Sequence, residues 1–168
     1  MLLTTEDLPG VGWMQLREAA WRSGVGSPKG PVSSRARRSG AFIALRHFRQ
    51  DVPARGLLVQ VLPAANVEDA ESQALNTRSN LMTYSGVVRV DEREVEGLDV
   101  PELESPLTWE HFNAREDIRG YQRFVSGRID NIALLVSGSA VGDGWSWNDV
   151  VPIATAQAKR VRSQLEAR

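Results

Sequence analysis

The imidazoles of the chain are His47 and His111, and His111 follows Glu110 and precedes Arg115 in a strand-like stretch. A carboxylate beside an imidazole, with a guanidinium in reach, is the residue set of general acid–base catalysis. An enzyme of hydrolase or isomerase type using His111 with Glu110 or Arg115 is therefore one reading. The competing reading is structural. From Leu107 to Arg115 the odd positions set Trp109, His111, Asn113 and Arg115 on one side, which equally describes a partly polar wall of a sheet. No Gly-x-Ser-x-Gly is present for a nucleophilic serine, and Ser137, Gly138 and Ser139 read as ordinary strand-end composition. Neither a P-loop lysine motif nor Gly-x-Gly-x-x-Gly after a strand offers a phosphate cradle. No pair of histidines or carboxylates shows helical i, i+4 ligand spacing with a third ligand implied. With no cysteine there is no thiolate zinc site, no disulfide and no cysteine nucleophile. Accordingly no catalytic residue, metal or cofactor is assigned.

Binding chemistry has more to draw on. Gly142, Gly144, Trp145 and Trp147 make a glycine- and tryptophan-rich turn, either clamped by aromatic packing or offering rings for a ligand to stack on. The segment from Arg22 to Gly40 carries Arg22, Lys29, Arg35, Arg37 and Arg38 with no acid, which leaves about −6 on the rest of the chain. Such a basic loop beside Trp13 and Trp21 could grip phosphate or RNA, but a solvated loop is the stronger reading without a basic sheet face behind it. The acids Asp91, Glu92, Glu94, Glu96, Asp99, Glu102 and Glu104 lack the Asp-x-Asp-x-Asp-Gly pattern of a calcium loop and read as a solvated rim.

The elements that must position these side chains follow from periodicity. Thr4 to Leu8 reads as a short helical turn capped by Thr4 or Thr5 and stopped by Pro9 and Gly10. Trp13 to Glu18 suits a first strand, a short helix being the alternative. Residues 22–40, rich in Gly, Pro and Ser, form a long mobile loop. Ala41 to Gln50 and Gly56 to Leu62 form an antiparallel hairpin around Asp51, Val52, Pro53 and Ala54, the second strand apolar enough to be covered on both faces. Val67 to Met82 is a helix opened by Asn66 and Asp69. Val87 to Val95 is a strand, Leu98 to Pro106 a connecting loop or edge strand, and Leu107 to Arg115 a further strand. A second hairpin joins Arg119 to Ser126 with Asn131 to Ser139, turning over Gly127, Arg128, Ile129 and Asp130. Asn148 or Asp149 caps a final helix that tolerates Pro152 in its first turn. Arg160, Arg162 and Arg168 lie towards its C-terminal end and offset its dipole.

Consecutive hairpins with helices on the sheet predict an α+β class: an antiparallel β-sheet with two main helices packed on it. The 168 residues, 42% hydrophobic and 24% charged, suit one domain over residues 1–168 and exclude a disordered chain or a coiled coil. A net charge of −1, from 20 basic and 21 acidic residues, sets no global field towards nucleic acid or an anionic membrane. The split of 18 arginines to 2 lysines fits GC-rich codon usage. The first eight residues carry no signal-peptide pattern, and nowhere do about eighteen apolar residues run together as a membrane span requires. As written the chain reads as cytoplasmic, and as extracytoplasmic if an export signal has been trimmed.

The opening Leu2, Leu3, Thr4, Thr5, Glu6, Asp7, Leu8, Pro9 and Gly10, followed by Gly12 and Trp13, resembles the start of many actinobacterial lipoproteins and sensor-like extracytoplasmic domains. The likeness extends to the helix Val67 to Met82 and to the closing hairpin and helix, Asn131 to Leu165. It implies a PsbP-like α/β/α sandwich and a non-catalytic module that binds a ligand or protein, often on the outer face of a membrane. The chain departs from that group in lacking the cysteines that sensor domains of membrane-bound serine/threonine kinases use for disulfides, and no export segment precedes Leu2.

Residues and resemblance together favour a binding module. Its expected ligand surface comprises Trp13, Trp109, His111, Arg115, Arg123, Trp145 and Trp147. A small apolar or amphipathic ligand, or a protein partner, would lie against the aromatic walls, with Arg115, Arg123 or His111 fixing a polar end. The alternatives are the enzyme described above and an adaptor that self-associates as a homodimer through a sheet edge or its charged loops.

Overall fold

A computed structural model describes residues 2–22, 42–84, 89–114, 119–140 and 144–167. Arg115, and the basic loop apart from Arg22, lie outside the described residues. A 3-10 turn spans Thr5–Asp7. The strands are β1 (Trp13–Arg22), β2 (Phe42–Gln50), β3 (Arg55–Pro63), β4 (Arg89–Glu94), β5 (Glu104–Ala114), β6 (Arg119–Ile129) and β7 (Ile132–Ala140). Helix α1 (Val67–Tyr84) follows β3, and α2 (Trp147–Glu166) follows β7. The seven strands form one sheet in the order β1-β2-β3-β7-β6-β5-β4, every neighbouring pair antiparallel. This is the expected α+β class, with both helices packed on the sheet.

Strand alternation sends successive side chains to opposite faces. Leu57, Val59 and Val61 of β3, Ile132, Leu134 and Val136 of β7, and Val125 and Ile129 of β6 point to one face, called here the front. They are buried there with Val150, Ile153, Ala154, Ala158 and Val161 of α2. On the back, Leu62 and Ala133 meet Ala74 of α1, while Trp109, Phe124 and Leu135 form a separate cluster. β3 lies between β2 and β7, and its nearly continuous apolar run is what such a two-sided position requires.

The N-terminal segment belongs to the front core. Leu2, Leu3 and Leu8 are buried in it, the Leu3 amide donates to Oε1 of the buried Gln157 at 2.9 Å, and Arg46 donates to the Leu3 carbonyl at 2.6 Å. Arg160 reaches the Leu2 carbonyl at 2.9 Å and Asp7 at 2.7 Å. Arg162 pairs with Glu102 at 3.0 Å. These two arginines thus clamp neighbouring segments, and neither stands in the last turn of α2 to meet its dipole.

Several boundaries differ from the sequence reading, among them the end of β1, which runs to Arg22 and not Glu18. β6 continues to Ile129, and the second hairpin turns at Asp130, whose φ of 49° is left-handed. Gly127 is therefore inside the strand, because Leu103 packs where its side chain would stand. β5 begins at Glu104 and carries Pro106 within a register shift between Glu104 and Leu107, a bulge being where a strand tolerates proline. α2 begins at Trp147 with Ser146 as its cap. Pro152 is thus its sixth residue, in the second turn and not the first, and the Asn148 carbonyl lacks the intrahelical donor that proline cannot supply.

Candidate functional site

The front face ends, beyond Gly138, in a cluster of aromatic rings and guanidinium groups. Gly138 makes room for it: a Cβ there would stand 3.1 Å from the Trp145 ring. Trp145 is fully buried and donates its indole N–H to the Ser139 carbonyl at 2.9 Å. Trp13, at the start of β1, lies 5.7 Å from Trp145 between ring centres and donates to the Pro9 carbonyl at 2.9 Å. Both indoles therefore satisfy their polar atom while burying the ring.

Arg55, at the start of β3, sets its guanidinium 5.0 Å from the Trp145 ring centre. Arg123 of β6 lies 5.3 Å from the Tyr121 ring centre and 6.0 Å from that of Trp147, distances at which cation–π attraction operates. Phe112 meets Tyr121 edge-on at 5.2 Å. Arg123 also forms an ion pair with Glu110, directly opposite it on β5, at 3.0 Å and with both side chains buried. Trp147, Tyr121, Phe112 and Arg55 are half-buried, so this end of the cluster meets solvent whereas the Trp13 and Trp145 end does not.

Asp149 completes the cluster. Burial alone would raise its pKa, but hydrogen bonds from the Ser146 hydroxyl and amide, helped by the charges of Arg55 and Arg123, bring it below the ordinary carboxylate value. The hydroxyl donates at 2.7 Å and the amide at 2.9 Å. Asp149 thus caps α2 and places Trp147 in its first turn.

Trp109 and His111 occupy the opposite face. Trp109 stacks on Phe124 at 5.0 Å with ring planes 4° apart, and the His111 ring lies 5.0 Å from Phe124. His111 Nε2 is 3.1 Å from Gln122 Oε1, so the Nε2-protonated tautomer donates there. Gln122 donates onward to Ser137 Oγ at 3.0 Å. Strand alternation sends Glu110 to the front and His111 to the back, so this carboxylate cannot serve that imidazole. His47, of β2, is exposed on the back, its Nε2 3.8 Å from the Cβ position of Gly56. Among the described residues no group of three histidines or carboxylates is placed to hold a metal ion. A shallow cavity of about 60 Å³ lies on the back between Leu75 of α1, Leu107 of β5 and Arg128 of β6.

Of the seven residues expected to line a site, Trp13, Arg123, Trp145 and Trp147 come together. Trp109 and His111 do not join them, and Arg115 lies outside the described residues. Sequence reasoning missed Glu110 as the partner of Arg123, and also Arg55, Phe112, Tyr121 and Asp149. Unlike charges at 110 and 123, on strands flanking a connection, were the available signal for the first pair.

No family model and no curated protein matches this chain. Among solved structures it is similar to the extracellular domain of PknH from Mycobacterium tuberculosis, with a TM-score of 0.61, 10% identity, and 96% of this chain and 93% of that one covered. The likeness is one of fold. Among the described residues no helix is long and apolar enough to cross a membrane.

Proposed function

We propose that the chain is a non-catalytic binding or sensing module that takes an amphipathic ligand at the solvent-facing end of the front cluster. The ligand's apolar body would lie against Trp147, Tyr121 and Phe112, and its polar end would meet Arg123 or Arg55. The observation that carries this reading is a guanidinium flanked by two half-buried rings, Tyr121 and Trp147. The similarity to an extracellular domain supports the sensing role and an extracytoplasmic location.

Titration with alkyl carboxylates of increasing length, alongside the matched alcohols, tests the reading. Tryptophan emission should change saturably, affinity should rise with chain length as more apolar surface is buried, and the carboxylates should bind better than the alcohols. Trp147→Ala should weaken binding by roughly tenfold or more, whereas Trp109→Phe, on the opposite face, should leave it unchanged. Absence of saturable change in emission and in binding heat for both series would overturn the proposal.

A further inference from the structure

Among the described side chains Arg46, Arg49, Arg123, Arg128, Arg160 and Arg162 each pair with a carboxylate. Arg55 is the exception among these arginines, and its covered Nε–H has no hydrogen-bond acceptor. The carboxylates of the front cluster are committed elsewhere: Glu110 to Arg123, and Asp149 to the Ser146 hydroxyl and amide. Gln50, directly opposite Arg55 on β2, gives its amide N–H to the Val11 carbonyl at 2.7 Å. Its buried Oε1 accepts no hydrogen bond among the described residues, so Arg55 is not bonded to this neighbour either. The Arg55 guanidinium lies instead 5.0 Å from the Trp145 ring centre. The ring steadies a positive charge but offers no carboxylate or carbonyl to its N–H groups. A half-buried guanidinium so placed has donors to spend on a ligand.

Taking the amphipathic ligand of the front cluster as the premise, we propose that Arg55 selects its head group and that this head group is a carboxylate. A carboxylate lies in the plane of a guanidinium and accepts two parallel N–H bonds, a match of shape as well as of charge. Arg123 is less suited to the task, because a ligand carboxylate there would compete with Glu110, placed directly opposite it by strand pairing. The surroundings also limit the charge. A second negative charge on the head group would face Asp149 and Glu110 with no further uncommitted guanidinium among the described residues to offset it, whereas a monoanion matches Arg55. Arg55 opens β3, and β7 and β6 separate it from Phe112 of β5. The tail would cross three strand spacings, about 14 Å, over Tyr121 towards Phe112.

Isothermal titration of the full chain with decanoate, decyl phosphate and decanol tests this at about pH 8, where an alkyl phosphate carries nearly two charges. The wild-type protein should bind decanoate more tightly than decanol by about tenfold or more, the worth of charge-assisted hydrogen bonds, and more tightly than decyl phosphate. Arg55→Gln should bring decanoate to the affinity of decanol. Arg55→Lys keeps a cation beside Trp145 but not the parallel N–H pair, so its preference should fall between those of the wild type and Arg55→Gln. Circular dichroism and the melting temperature identify a variant that has lost its fold, and the comparison of decanoate with decyl phosphate needs no variant. If none of the three compounds binds the wild type, the site itself is overturned and its selector with it. If they bind and both folded Arg55 variants keep the wild-type preference for decanoate, the site stands and Arg55 is not its selector. Decyl phosphate binding the wild type as tightly as decanoate would overturn the carboxylate assignment.

Discussion

At Gly127 strand β6 runs beneath Leu103, and an added Cβ would stand 2.6 Å from Leu103 Cγ and 3.0 Å from the Glu104 carbonyl oxygen. Leu103 is itself buried, so neither neighbour yields cheaply. Gly127→Ala should cost about 1–3 kcal/mol, the usual range for overpacking a filled site, seen as a lower urea midpoint with unchanged slope. Glycine in a sequence signals either a turn or a close approach of two chains. What decides at 127 is Leu103, distant along the chain, which is why the sequence reads a turn there. The Glu110–Arg123 pair makes a second prediction at this scale. Both side chains are buried, so Glu110→Ala strands a charge and should destabilise by about 3–5 kcal/mol. Replacing the pair together, as Glu110→Leu with Arg123→Met, should restore more than half of that loss. A double-mutant cycle in urea reads the difference.

At the scale of elements, two similar four-residue boxes, Thr4 to Asp7 and Ser146 to Asp149, start the N-terminal turn and α2. Asp7 is held below the ordinary carboxylate value first by the Thr4 amide; burial, the next largest influence, opposes this, and the Thr4 hydroxyl and Arg160 add to the lowering. Its folded pKa is depressed, so its contribution is complete above the unfolded value and is lost as pH falls through the folded one. Acidification below about pH 4 should therefore release the N-terminal segment, speeding exchange of the Leu3 amide relative to the intrinsic rate. Asp7→Asn should weaken the segment at neutral pH and remove this pH dependence. Ser146→Ala should lower global stability by about 1 kcal/mol through loss of the cap, measured by thermal or urea unfolding. Strands and helices were largely legible because apolar side chains run almost unbroken through β3 and recur at helical spacing in α2. The start of α2 was misplaced because Asn148 and Asp149 are also good caps. The hydroxyl of Ser146 wins by leaving Asp149 three residues inside, where its carboxylate meets the cap's own amide.

For the whole molecule, the division of apolar residues between the two faces sets the order of opening. The front core joins β2, β3, β6 and β7 to α2 and the N-terminal segment in one cluster, whereas α1 meets the back through Ala74, Leu62 and Ala133 and a Ser126 hydrogen bond to the Ala74 carbonyl at 3.2 Å. This division also explains why the candidate site was only half legible. Four tryptophans could be recognised as potential walls, but no local pattern tells that Trp145, after β7, and Trp109, within β5, lie on opposite sides of one sheet. That follows from pairing register, which places Gly138 opposite Arg123 and Phe124 opposite Trp109. Regions with fewer buried apolar contacts open at lower free energy. Native-state hydrogen exchange should accordingly release the first half of α1, around Ala70 and Ala74, before β3, β7 and the buried face of α2. Ala74→Gly should lower protection in α1 while the slowest amides of β7 shift by less than those of α1. Equal shifts in both would show that the two faces unfold as one unit and that the back clusters are as tightly coupled to the sheet as the front core.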